Sequence, residues 1–92
     1  MGLKNGITSV LLEADGLVNG PRSKDYGSIR GNMEVVSKLF HTLTNVVLSV
    51  EHLTLLMVCF KLARESNKHK RDNVVDACGY LELYSRLVEG VE

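Results

Sequence analysis

Ile29, Met33, Val36, Phe40, Leu43 and Val47 are spaced by four, three, four, three and four residues. That rhythm returns to one face of an α-helix turn after turn. A strand cannot hold it, because strand side chains alternate with a period of two. Val35, Leu39 and Val46 widen the stripe, while Arg30, Glu34, Lys38 and Thr42 fall on other faces. The spacing predicts a helix from about Ser28 to Val46 with one apolar face that needs a cover. Gly31 is its weak point, costing up to about 1 kcal/mol against Ala, and it would admit a nearby backbone or ligand.

Three more segments follow the same logic. Ile7, Val10, Leu11, Ala14, Leu17 and Val18 predict a first helix from about Ile7 to Val18, with Asn5 or Gly6 as cap. Asn19-Gly20-Pro21 ends it, Gly20 as a left-handed cap and Pro21 because it cannot continue a helix. Ser49 caps a third helix, about Val50 to Ser66, with Glu51 in the dipole-favoured first turn. Its run Leu53, Leu55, Leu56, Met57, Val58, Cys59, Phe60 and Leu62 is apolar almost all round. Such a helix is normally buried on all sides, which is easier inside an oligomer than in a small monomer. The polar turn Asn67-Lys68-His69-Lys70 leads to a fourth helix, about Arg71 to Val88, striped by Val74, Ala77, Cys78, Leu81, Tyr84 and Val88. The expected fold is all-α: a four-helix bundle-like single domain over 1–92, core about 7–88, with short loops and antiparallel neighbours, assembled as a helical homo-oligomer.

Composition narrows the function classes. A chain of 92 residues is one domain, and 45% apolar content excludes a disordered chain. Eleven cations balance eleven acids, so neither a membrane surface nor a specific nucleic acid is an expected partner. Cys59 and Cys78 lie in apolar helical runs and read as reduced core thiols of a cytoplasmic protein. No leader pattern is read at the N-terminus, and no apolar run reaches the roughly 18 residues of a membrane span. The balance is uneven along the chain. Residues 61–71 hold five cations and one acid, and residues 72–92 hold five acids and one cation. That reversal predicts a hairpin in which the third helix pairs with the fourth.

There is no Gly-rich phosphate loop, no dinucleotide fingerprint and no zinc spacing of Cys and His. His41, His52 and His69 are scattered and read as helix-face residues. Lys61 and Arg64 share one helix face, and Asp72 and Asp76 share another. The four could form an ion-pair network that pins the hairpin. Alternatively, the two acids could hold Mg²⁺ while the cations contact phosphate oxygens. The connection Gly20-Pro21-Arg22-Ser23-Lys24-Asp25-Tyr26-Gly27-Ser28 adds two cations and an aromatic ring. In an antiparallel bundle this loop and the third-to-fourth turn lie at one end. Arg22 and Tyr26 are then expected beside the charged cluster, or else capping a helix end and packing on the bundle.

Arg22-x-x-x-Tyr26-Gly27, Asn32, Leu56-Met57-x-x-x-Lys61-x-Ala63-Arg64 and Lys70-Arg71-Asp72-x-x-x-Asp76-x-x-Gly79-Tyr80 occur in order with compatible spacing. Together they resemble a family of small helical proteins found chiefly in bacteriophages and prophages and catalogued as a domain of unknown function. The closing block also resembles the last core helix of the MazG-like all-α nucleotide pyrophosphohydrolases, Mg²⁺-dependent helical oligomers. Their Glu-Glu-x-x-Glu helix has no counterpart here, where Glu34 and Glu51 stand alone. The resemblance therefore implies a phage accessory protein that binds a nucleotide or other phosphorylated ligand without strong hydrolysis. Arg22, Lys24, Tyr26, Lys61, Arg64, Lys70, Arg71 and Tyr80 would contact phosphate or base, and Asp72 and Asp76 a metal. No cofactor is required, Mg²⁺ is the candidate ion, and the chain itself is the first expected partner, as a homodimer or tetramer. The alternatives are a helical module that binds a host protein, and a pyrophosphohydrolase completed by acids from another subunit. All three place the protein in the host cytoplasm.

Overall fold

The computed structural model describes residues 9–20 and 28–91. Among them the chain forms four helices and no strand: α1 (Val10–Asn19), α2 (Ile29–Thr44), α3 (Val50–Asn67) and α4 (Arg71–Glu89). The all-α fold expected from the periodicities is the fold observed. The boundaries follow local chemistry. Ser28 and Ser49 cap α2 and α3, accepting from the amides of Gly31 at 2.9 Å and His52 at 3.1 Å. Asn45 ends α2 in the left-handed conformation (φ 59°), which Asn tolerates better than most residues. Gly90 does the same for α4 at φ 71°.

Three local expectations are corrected. The cap of α1 is Ser9, whose hydroxyl accepts from Leu11 at 3.2 Å; Asn5, Gly6 and Ile7 lie outside the described residues. Gly20 ends α1 in extended rather than left-handed backbone (φ −85°). Among the described residues, no other backbone closes on Gly31; what approaches it is the Ser28 side chain. A Cβ there would stand 3.0 Å from the capping hydroxyl of Ser28, so the small residue makes room for the cap.

α4 is the central helix, packed between α3 and α1. Against α3 it runs antiparallel, with Lys61 beside Asp76 and Glu65 beside Asn73. Beside α1 it runs parallel: Glu13 meets Arg71 near both starts, and Val18 approaches Gly79 further along. α2 crosses the open end. Met33 joins Leu53 and Leu83 in the core, with Ile29, Leu48, Val50, Met57, Tyr80 and Leu87 around them. The Ser37 hydroxyl donates to the Leu48 carbonyl at 2.6 Å and ties α2 to the segment that turns back into α3.

That tie marks where the cover of α2 stops. From Lys38 to Val47 every residue is exposed. Of the stripe, Met33 is buried and Ile29 half-buried, but Leu43 is 82% and Val47 77% exposed. α3 departs from expectation too. Leu53, Thr54 and Val58 are buried, whereas Leu56, Cys59, Phe60 and Leu62 face outward. Cys59 is thus no core thiol, and Cys78 is half-buried; neither forms a disulfide. The reason is stagger. α2 overlaps only the first turns of α3, so the second half of α2 is left bare, while the second half of α3 is covered by α4 on one side only. Among the described residues no helix is long and apolar enough to cross a membrane.

Candidate functional site

The α3–α4 hairpin gathers most of the charged residues singled out in the sequence. Lys61 Nζ lies 3.0 Å from Asp76 Oδ2, with both side chains largely covered. Arg64, one turn on, is exposed and places its guanidinium 4.7 Å from the centroid of the Phe60 ring. Arg71 turns away from this cluster, and its Nε donates to Glu13 Oε2 at 2.7 Å, fastening α4 to α1. Asp72 is exposed in the first turn of α4, where a carboxylate suits the helix dipole, and forms no ion pair among the described residues. Tyr80 is half-buried against the core cluster. Arg22, Lys24 and Tyr26 lie outside the described residues.

The turn is organised by a residue that the spacing did not single out. Lys70, at the N-cap of α4, offers no side-chain cap. Glu65 of α3 takes that role. Its Oε1 accepts from the Lys70 amide at 2.9 Å and from Asn73 Nδ2 at 3.3 Å, and its Oε2 meets His69 Nδ1. The hydrogen bond from His69, then the Lys70 amide and the Asn73 amide group, hold the Glu65 carboxyl below the usual carboxylate range. The available signal was the single acid in a cation-rich segment, just ahead of a helix whose N-cap position holds Lys70 rather than Ser, Thr, Asp or Asn. Glu13 was missed because nothing local links it to Arg71.

The parallel course of α1 and α4 also corrects the expected geometry of the first connection. Val18, Ser28, Ile29 and Arg30 lie around a cavity of about 230 Å³ with Leu83, Arg86 and Leu87 of α4. The ends of that connection therefore flank the last turns of α4, whereas Asp72 and Asp76 stand near its start. At 1.5 Å per residue, Asp76 and Arg86 are about 15 Å apart along the axis. Arg30 and Arg86 each pair with an acid on their own helix, Glu34 at 3.6 Å and Glu82 at 3.8 Å. Among the described residues no three His, Cys, Asp or Glu side chains converge to hold a metal ion.

A family model described as a domain of unknown function, DUF6378, matches residues 9–88. The chain belongs to this family. It is similar to the Gene 55 protein of Mycobacterium phage L5, at 31% identity over 81 residues, covering 86% of this chain and 52% of that protein. The Gene 55 protein of Mycobacterium phage D29 is 33% identical over 82 residues, covering 88% and 54%. The chain spans about half the length of these curated relatives. No solved structure matches it. The resemblance to a phage domain of unknown function is thus the family found, and the matched span encloses the sequence blocks that carried it, Arg22 to Tyr80.

Proposed function

We propose that this DUF6378 domain acts through protein–protein contact rather than through chemistry on a small substrate. One observation carries the reading: the second half of α2 presents Leu39, Phe40 and Leu43 to solvent, and Val46 and Val47 continue the same bare surface. Contiguous exposed apolar patches of a few hundred Å² mark interaction surfaces more often than chance exposure does. Two of the three carboxylates beside the candidate phosphate cations are meanwhile engaged, Asp76 with Lys61 and Glu65 with the Lys70 amide, and only Asp72 is left exposed. The test compares wild type with Leu43→Glu as baits in host lysate, then titrates any Leu43-dependent partner as a purified component. Identical partner sets for the two baits refute the reading.

A second reading keeps a nucleotide or other phosphorylated ligand, bound at the α3–α4 turn. What favours it is the exposure of Arg64, Lys68 and Lys70 on that turn, together with the MazG-like pattern of its sequence. Calorimetry with a nucleotide panel, with and without Mg²⁺, is expected to show binding tighter than about 1 mM, the weak end of specific recognition. Heats indistinguishable from dilution remove it.

A further inference from the structure

We propose that Asn19 is a site of covalent self-modification, where deamidation through the Gly20 amide nitrogen loosens the end of α1 from α4. This goes beyond both readings above and depends on neither. The chain holds two Asn-Gly dipeptides: Asn5-Gly6, outside the described residues, and Asn19-Gly20. In such a pair no side chain shields the glycine amide, and glycine reaches backbone angles that other residues do not. The nitrogen of Gly20, once deprotonated, bonds to Cγ of Asn19 as the Cγ–Nδ2 bond breaks. Ammonia leaves and a succinimide ring closes. Water then opens the ring at either carbonyl, leaving aspartate or isoaspartate at this position. The balance is water in and ammonia out, with no oxidant or reductant.

The fold holds both reacting groups in other contacts. The Gly20 amide donates to the Gly16 carbonyl at 2.8 Å, and Asn19 Nδ2 donates to Asp15 Oδ1 at 2.8 Å. Attack therefore waits for the last turn of α1 to open. That turn is weakly held. α1 has 10 residues, fewer than the ~12–15 a helix needs to stand alone. Ala14 is its only buried residue, and no cation lies in its last turn. Gly16 sits inside the helix with open space where a Cβ would be, and Asn19 itself is exposed. Gly20 admits no replacement, because a Cβ there would collide with the Gly16 carbonyl oxygen. The close of α1 thus requires the residue that makes Asn19 reactive. The product does not restore the closed turn. A carboxylate has no N–H to donate to Asp15, stands one turn from it as a like charge, and adds negative charge at the negative end of the helix dipole. Val18, which packs beside Gly79 of α4, is the neighbour that loosens with it.

The experiment incubates the full chain at mildly alkaline pH, native and in urea. Tandem mass spectrometry locates the exchange of NH2 for OH at Asn19 separately from Asn5. Conversion at Asn19 is expected in the native chain, about tenfold slower than in urea, the factor that corresponds to ~1.4 kcal/mol of opening. Gly16→Ala favours the helix and should slow the native reaction about fivefold, with the rate in urea unchanged. Asn19→Asp, the product, should speed hydrogen exchange of the α1 amides several-fold over wild type. Unchanged helical circular dichroism verifies that both variants fold. A native chain that stays intact at Asn19 long after the urea sample is exhausted overturns the proposal. So do equal rates in the two conditions, or a native rate that Gly16→Ala leaves unchanged, since α1 then controls nothing. Unchanged amide exchange in Asn19→Asp overturns the loosening.

Discussion

At the residue scale, two contacts make opposite demands on the solvent. Lys61 and Asp76 are partly covered, with side chains 17% and 30% exposed. Fully exposed pairs contribute about 0.2–1 kcal/mol, and loss of one partner of a covered pair also leaves a charge with poor hydration. Asp76→Asn is therefore expected to cost about 1–2 kcal/mol in urea unfolding, and a double-mutant cycle with Lys61→Met to show a coupling of about 0.5–1 kcal/mol. A coupling near zero removes the pair from the account of the hairpin. Glu65 makes a prediction in pH. Its folded carboxyl titrates below the ordinary value, so its contribution is complete above the unfolded pKa of about 4.3 and fades as pH falls through the lower folded value. Glu65→Gln should be less stable than wild type at neutral pH, and the gap between the two unfolding midpoints should narrow as pH falls below the ordinary carboxylate range. A gap that stays constant on acidification contradicts the assignment.

At the element scale, caps decide where helices start and packing decides what their faces do. Ser49→Ala removes the acceptor for the His52 amide and should cost about 1 kcal/mol, measured by denaturant midpoint at constant slope. Ser49 and the four helices were legible in the sequence because each depends on residues within a turn of one another, whereas α2 stops at Asn45, just short of the expected Val46. The Lys61–Asp76 contact was legible too, since a charge reversal across a short turn leaves few other pairings. The parallel placement of α1 against α4 was not. It depends on Glu13 and Arg71, which are far apart in sequence, and on Val18 packing beside Gly79. The stripe of α2 was read correctly as an apolar face, yet periodicity reports that a face needs a cover and not which molecule supplies it. The same limit explains Leu56, Phe60 and Cys59, apolar by sequence and outward-facing in a single chain.

At the scale of the whole molecule, the two kinds of apolar surface separate by their dependence on concentration. Met33, Leu53 and Leu83 are buried within one chain, so their contribution is fixed whatever the protein concentration. Leu53→Ala should cost about 2–5 kcal/mol at every concentration. The α2 face contributes only when another chain covers it, and association that favours the folded state raises the melting midpoint with concentration. If the covering chain is a second copy, wild type melts several degrees higher at about 200 μM than at about 2 μM, since 1 kcal/mol moves the midpoint of a domain this size by roughly 4–8 °C. In Leu43→Glu the concentration dependence should vanish, while the dilute-limit midpoint stays within the shift of about 0.5 kcal/mol usual for an exposed site. Differential scanning calorimetry at both concentrations reads the two quantities together. A wild-type midpoint independent of concentration means that the stripe which specifies α2 as a helix leaves its outer half bare in solution. A Leu43→Glu midpoint that falls equally at both concentrations assigns Leu43 to the intrachain core, against its 82% exposure.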